Sequence, residues 1–261
     1  PMLDYHGRVG LQYNPIAIAQ YGLANFNLFH GGREEQRRRK FLAAADWLAS
    51  NLEQNRAGLW VWQHHFDWDY RTPLRAPWFS ALAQGQGISL LTRAHLATGE
   101  ARYLEAAQRA FGPFLFTVDH GGVTIEDDKD GLWFEEYVVQ PPTHILNGFI
   151  WASWGVLDFF LATGERRAQE LFQRAVRTLA ANLDRYDCGY WSLYEQSGTR
   201  LPMLASPFYH RLHIVQLRVL YQLTGEESFA RFAARWEELG RRRWNRVHAL
   251  AGKALFKLVY Y

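Results

Sequence analysis

The chain has 261 residues, a length for one large domain and at most two. Its net charge is only +3 with 48% apolar residues, so it reads as globular, neither disordered nor a strongly basic nucleic-acid binder. A lone cysteine, Cys188, excludes an internal disulfide and a cysteine-rich metal centre. No apolar run is long enough to span a membrane, and Pro1-Met2-Leu3-Asp4 lacks the pattern of a secretory leader; the compartment stays open.

In chain order, a nearly uncharged stretch at 15–29 predicts a buried helix. Gly31-Gly32-Arg33-Glu34 then turns the chain into a charged helix at 33–51. There Leu42, Ala45, Trp47 and Leu48 keep a 3.6-residue period. The run Arg37-Arg38-Arg39-Lys40 lies beyond Glu34 and Glu35 in the same helical pattern, a solvated face. The same alternation recurs. Apolar helices are predicted at 77–97, 142–162 and 206–223, and charged ones at 100–112, 165–183 and 226–240. Thr98-Gly99-Glu100, Thr163-Gly164-Glu165 and Thr224-Gly225-Glu226 separate them, 65 and 61 residues apart. Thr is read as the N-cap of each second helix. A long period of this kind marks repeated helical hairpins. The fold class is therefore all-α: an α/α toroid (barrel) of about four hairpins, open because four are few, with residues 1–261 as a single domain.

The connections are unequal. Turns from inner to outer helices are short, whereas 52–76, 113–141 and 184–205 are long, and long ordered loops tend to carry function. All inner helices start on the long-loop side, so their dipole-positive ends converge there, which favours an anion. Gly58-Leu59-Trp60-Val61-Trp62, Gly131-Leu132-Trp133-Phe134 and Gly189-Tyr190-Trp191 repeat an aromatic signal in the three loops. Sixteen per cent aromatic residues suits a sugar partner, and equally a large helical core. Alternation on both sides of Asp130-Gly131 predicts a small β-hairpin beside the site.

The chemistry-bearing stretch is Trp133-Phe134-Glu135-Glu136-Tyr137, just before the helix predicted at 142–162. Two carboxylates and a phenol together suit a base beside a proton donor. Polar residues in otherwise greasy inner helices are candidate ligand contacts: Gln84, Gln86, Asn147, Tyr209, His210, Arg211 and His213. No metal set is expected. Glu126-Asp127-Asp128-Lys129-Asp130-Gly131 opens like a calcium loop but has Tyr137 where the twelfth-position acid belongs. His210 and His213 lack a third zinc ligand. His64-His65 with Asp67 and Asp69 alternate along a strand. No nucleotide-binding fingerprint occurs, so no cofactor is expected.

Tyr13-Asn14-Pro15 with Ile18-Ala19-Gln20-Tyr21-Gly22-Leu23, Pro77-Trp78, Ala83-Gln84-Gly85-Gln86, Glu135-Glu136-Tyr137, Leu146-Asn147-Gly148-Phe149, and Tyr209-His210 with His213-Ile214 and Gln216-Leu217 resemble the helical domain of glucuronyl C5-epimerases. The matches run in order from residue 13 to 217. The resemblance implies an α/α-barrel catalytic domain that converts D-glucuronate to L-iduronate in a heparan-like polysaccharide. It implies Glu136, Tyr137, Tyr194 and Tyr209 as the catalytic set. Contacts to an anionic polysaccharide then fall to Trp133, Gln84, Gln86, Asn147, His210, Arg211 and His213. A homodimer is compatible with it; nucleic acid, metal and nicotinamide are not required. The chain departs from the family where Tyr194 is followed by Glu195-Gln196-Ser197 and where Val138 follows Glu-Glu-Tyr. On the residues alone, a uronate lyase using His144, His210 and Arg211 stays open. So do an inverting glycosidase pairing Glu136 with Asp67 or Asp69 and a sugar-binding toroid.

Overall fold

A computed structural model describes residues 1–127 and 131–260. The chain opens with a two-residue ladder, β1 (Leu3–Asp4) on β2 (Leu11–Gln12). The first helical hairpin is α1 (Pro15–Gly32) with α2 (Glu35–Ser50). After β3 (Glu53–Gln54) and β4 (Trp60–Val61) comes the second, α3 (Ala81–Thr98) with α4 (Ala101–Phe111). The hairpin β5 (Thr124–Glu126) and β6 (Leu132–Phe134) precedes the third, α5 (Leu146–Thr163) with α6 (Arg166–Asn182). The fourth is α7 (Pro207–Thr224) with α8 (Glu227–Arg241), and a ninth helix, α9 (Arg243–Tyr260), follows. This is the all-α toroid of four hairpins with a β-hairpin leading into Glu135-Glu136. Asp128, Lys129 and Asp130, at the expected hairpin tip, lie outside the described residues.

The Thr-Gly-Glu turns work differently from the expectation. Each Thr is the last residue of the inner helix and not an N-cap. Its hydroxyl donates back to the carbonyl four residues earlier and accepts the N–H of the following Glu. Gly99, Gly164 and Gly225 take left-handed φ of 75°, 72° and 71°, and the Glu occupies the N-cap. In the first hairpin the turn falls later than Gly31-Gly32. Both glycines are helical, and Arg33 takes the left-handed position at φ 55°.

Packing runs around the ring from α1 to α3 to α5 to α7, each inner helix backed by its outer partner. The seam between α3 and α5 is the tightest. A Cβ on Gly155 would lie 2.1 Å from the Gly85 carbonyl oxygen, and one on Gly85 would lie 2.5 Å from the Ala152 Cα. Small residues there let two backbones touch. As a result α3 is buried almost without interruption from Ala81 to Thr92. The terminal inner helices depart from the expected all-round burial. Helix α1 buries only Pro15, Ile18, Ala19, Gly22 and Asn25, because α7 does not pack along it to close the ring.

Helices α3 and α5 start four residues later than their apolar stretches, at Ala81 and Leu146. The preceding residues are held extended by loop pairing, with His64 on Trp78, and Leu146 N–H bonds to the Tyr194 carbonyl. Further cross-loop bonds join Asn55 to Gly121, Ala81 to Glu135, Gln196 to Thr143, and Tyr186 to His144. The three loops thus form one continuous layer over the inner-helix N-termini. Each loop contributes a tryptophan stacked on a histidine: Trp78 on His64 at 3.7 Å, Trp133 on His144 at 4.4 Å, and Trp191 on His210 at 3.7 Å.

Candidate active site

Glu136 leaves the end of β6 and folds over the first turn of α5. Gly148 is what admits it there, since a Cβ at that position would sit 2.1 Å from Oε2. The Asn147 amide nitrogen lies 3.5 Å from the same oxygen, while Asn147 Oδ1 is buried without a partner. Glu136 is 4% exposed. Burial pushes its carboxyl up to about 8, the Tyr137 hydroxyl donating to it pulls the other way, and Glu135 adds a smaller upward push. The site therefore holds a carboxyl that exchanges its proton near neutrality.

Two loops and one helix bring the phenols to it. Tyr137 follows Glu136 directly and packs on Tyr70 at 4.6 Å and edge-on to Trp78 at 5.8 Å. Tyr194 comes from the third loop. Tyr209 comes from the first turn of α7, which Ser206 caps by accepting the Tyr209 N–H. The rings of Tyr194 and Tyr209 meet edge-to-face at 4.8 Å. Tyr194 is held well above an ordinary phenol, first by burial and then by Glu136, Tyr137 and Tyr209; its hydroxyl donates to Tyr209. Tyr209 is also raised by burial and by Glu136, and lowered by the bond it accepts from Tyr194. Two directed pairs result: Tyr137 donating to Glu136, and Tyr194 donating to Tyr209. A phenol that accepts a hydrogen bond is the better acid of its pair, and its own proton points elsewhere.

The four residues expected from sequence as catalytic are thus neighbours. The expected ligand contacts divide. Asn147 lies in the cluster, and Arg211 is exposed on the second turn of α7 with no ion pair among the described residues. Trp133 is not a platform. It is 1% exposed, sandwiched by His144 and Phe149, with Nε1–H donating to Asp127. Gln84 has no capacity left. It accepts the Trp62 N–H and donates to the carbonyls of Trp60 and Ala110, tying β4 and the end of α4 to α3. Gln86 lines a cavity on the toroid axis, deeper than the carboxylate cluster. His210 is consumed by structure: Nε2 donates to the Trp236 carbonyl, and Nδ1 accepts from Ser192. His213 is fully buried and shares the Ser192 hydroxyl. Burial drives both imidazoles down, to about 4 and about 3, so both are neutral at physiological pH.

Nor do the weighed metal residues come together. His64 is buried under Trp78 and driven down to about 3 by burial, His65 is paired with Glu53 and Asp67 with Arg75. Among the described residues no three His, Cys, Asp or Glu side chains are grouped as ligands. Other residues join the site that sequence reading passed over. Tyr70 and Trp78 wall it beside Tyr137, a role that the aromatic alternation from Phe66 to Tyr70 could have suggested. Glu195 is buried, its carboxyl pushed by desolvation up to about 7. Lys253 of α9 donates to the Leu204 carbonyl and lies 5.5 Å above the Tyr194 ring. No motif marked α9.

A D-glucuronyl C5-epimerase C-terminus family model matches residues 54–238. An uncharacterized protein of Methanocaldococcus jannaschii is 32% identical over 200 residues, 76% of this chain and 63% of that one. The D-glucuronyl C5-epimerase of Caenorhabditis elegans is 33% identical over 219 residues, 78% of this chain but 35% of that protein. The chain therefore spans less than two thirds of the curated relatives it matches. Among solved structures, cellobiose 2-epimerase from Spirochaeta thermophila superposes with a TM-score of 0.60 at 15% identity, over 86% of this chain and 57% of that one, a likeness of fold. With its matched segment containing Glu136, Tyr137, Tyr194 and Tyr209, the chain belongs to the D-glucuronyl C5-epimerase C-terminal family.

Proposed function

We propose that residues 1–261 act as one catalytic unit inverting C5 of a D-glucuronate residue to L-iduronate in a uronate-containing polysaccharide. The observation that carries this is one cluster: the buried Glu136 carboxyl, seated on Gly148 and pushed up to about 8, lies close enough to Tyr194 and Tyr209, whose rings meet at 4.8 Å, to add to the rise that burial gives both phenols. Inversion at C5 needs a proton taken from one side of the ring and returned from the other. The hydrogen is very weakly acidic because the adjacent carboxylate is already negative, so removing it concentrates charge on an enolate. Glu136, ionised, takes the proton; Tyr209 gives one from the opposite side and is left as a phenolate that the Tyr194 hydroxyl supports by hydrogen bonding. Once Glu136 holds the abstracted proton it no longer needs the Tyr137 hydroxyl, which turns to an enolate oxygen alongside the first turn of α5, whose dipole-positive end faces Glu136. In the reverse reaction Tyr209 as phenolate is the base and protonated Glu136 the acid.

The test is incubation with N-acetylated or N-sulfated heparosan in heavy water, read by NMR. The reading expects deuterium at C5 and the appearance of iduronate without chain cleavage. Glu136→Gln and Tyr209→Phe should each lower exchange by ~10²–10⁴-fold, the usual contribution of a general acid or base, with the fold intact by circular dichroism. An unsaturated uronate absorbing in the ultraviolet would replace the proposal with a lyase. New reducing ends without C5 exchange would replace it with a glycosidase.

A further inference from the structure

The ring is open between α1 and α7, and a cavity of about 520 Å³ lies on its axis there. Its inner wall is built from Gln86, Ser89 and Arg93 on α3 and Trp151, Trp154 and Asp158 on α5. Asp158 is eleven residues beyond Asn147, roughly 16 Å along the helix, so the deep end is separate from the Glu136 cluster. Nothing in the proposed epimerisation uses it.

The charged groups in the wall are already satisfied. Arg93 Nη1 donates to Asp158 Oδ2 at 2.6 Å and Nη2 to Oδ1 at 3.4 Å. The Ser89 hydroxyl donates to the same Oδ2 at 2.6 Å. The pair is neutral overall. An anionic ligand would compete with Asp158 for Arg93 and be repelled by it. Two polar atoms, by contrast, have no partner. Gln86 is 4% exposed and its Oε1 is unbonded, and Trp154 Nε1–H is buried and unbonded. One is an acceptor and the other a donor. A hydrocarbon ligand would leave both unsatisfied, whereas hydroxyl groups accept and donate at once. The remaining lining combines leucines with the exposed amides of Gln20 and Asn27, and two half-buried indoles offer faces on which the apolar side of a pyranose can lie.

We propose that the axial cavity is a second binding site, for an uncharged sugar residue. It stands independently of the epimerase reading. Saturation-transfer NMR and calorimetry with methyl glucoside, N-acetylglucosamine and cellobiose, against glucuronic acid, test it. Neutral sugars should bind and glucuronic acid should bind at least about tenfold more weakly, the scale of a displaced charge-assisted bond. Gln86→Leu, which replaces the amide by an apolar group of similar size, and Trp154→Phe, which removes the indole N–H together with part of the stacking ring, should each weaken binding about fivefold, with melting temperatures showing that the fold persists. Equal or tighter binding of glucuronic acid overturns the proposal, as does unchanged affinity in both well-folded variants. So does failure of every neutral sugar to bind, including the case where light scattering shows a second copy covering the opening.

Discussion

Glu136 is set apart by its surroundings more than by its identity. Glu135, its neighbour, faces the other way. It accepts from the Thr143 and His144 backbone and from His144 Nδ1 at 2.5 Å, which fixes the loop. Glu136 has only the Tyr137 hydroxyl and a 3.5 Å amide, so burial dominates and the carboxyl rises to about 8. If it removes the C5 proton, only about a tenth of the enzyme is competent at pH 7 and about nine tenths at pH 9. Initial deuterium incorporation from glucuronate should therefore rise close to tenfold between those values. A flat profile from pH 6 to 9 would remove Glu136 from the role of base. Glu136, Tyr137, Tyr194 and Tyr209, which the structure brings together, were legible in the sequence as candidates because short motifs carried them. Gln84, Trp133 and His210, expected as ligand contacts, are bonded within the protein instead, and for a common reason. A polar or aromatic side chain among apolar neighbours signals that it needs a partner, but not whether the partner is a ligand or a backbone carbonyl across the core. Gln84, Trp133 and His210 found theirs in the protein, at Ala110, Asp127 and Trp236, whereas His213 reaches Ser192 through Nδ1 and keeps Nε2 buried without a partner.

At the scale of elements, the hairpins were legible from the Thr-Gly-Glu turns and from the uncharged and charged helices they join. The start of α5 was not, because loop pairing overrides propensity from 142 to 145. Helix α9 was missed because it repeats no hairpin. It buries Ala249 and Phe256 against the third loop and leaves Trp244 and Leu258 exposed. The seam between α3 and α5 governs the position of the site, since α5 carries Asn147 and Gly148. Gly155→Ala would drive a methyl into the Gly85 backbone, which no rotamer change relieves. Overpacking of this kind costs ~1–3 kcal/mol. Denaturant titration should show a loss of that size or more. Gly112→Ala, where a Cβ meets nothing within 4 Å, should stay within ~0.5 kcal/mol. Equal effects at both positions would mean that the two helices separate readily.

Across the whole molecule, the same burial that tunes the site makes stability depend on pH. His64, His210 and His213 are held near 3 to 4 in the fold against about 6.5 in an unfolded chain. Their contribution is complete above 6.5 and is lost as pH falls towards 4, because the unfolded chain takes up three protons that the fold refuses. Glu136 and Glu195 act oppositely. Their folded values of about 8 and about 7 exceed the unfolded 4.5. Their contribution is complete below 4.5 and is lost as pH rises through 7 and 8. From 4.5 to 6.5 three imidazoles work against two carboxyls, so stability climbs gently. Below 4.5 the carboxyls drop out and the imidazoles act alone, giving a steep acid limb. Above 6.5 only the carboxyls remain and stability declines to about 8. Each proton so displaced is worth at most about 1.4 kcal/mol per pH unit. Melting temperature against pH should therefore peak near 6.5, falling steeply on the acid side and shallowly on the other. Glu136→Gln should flatten the descending limb while leaving the acid limb in place. A maximum near pH 4.5 or 9, or a descending limb unchanged by Glu136→Gln, would show that these groups titrate in the fold much as they do in water.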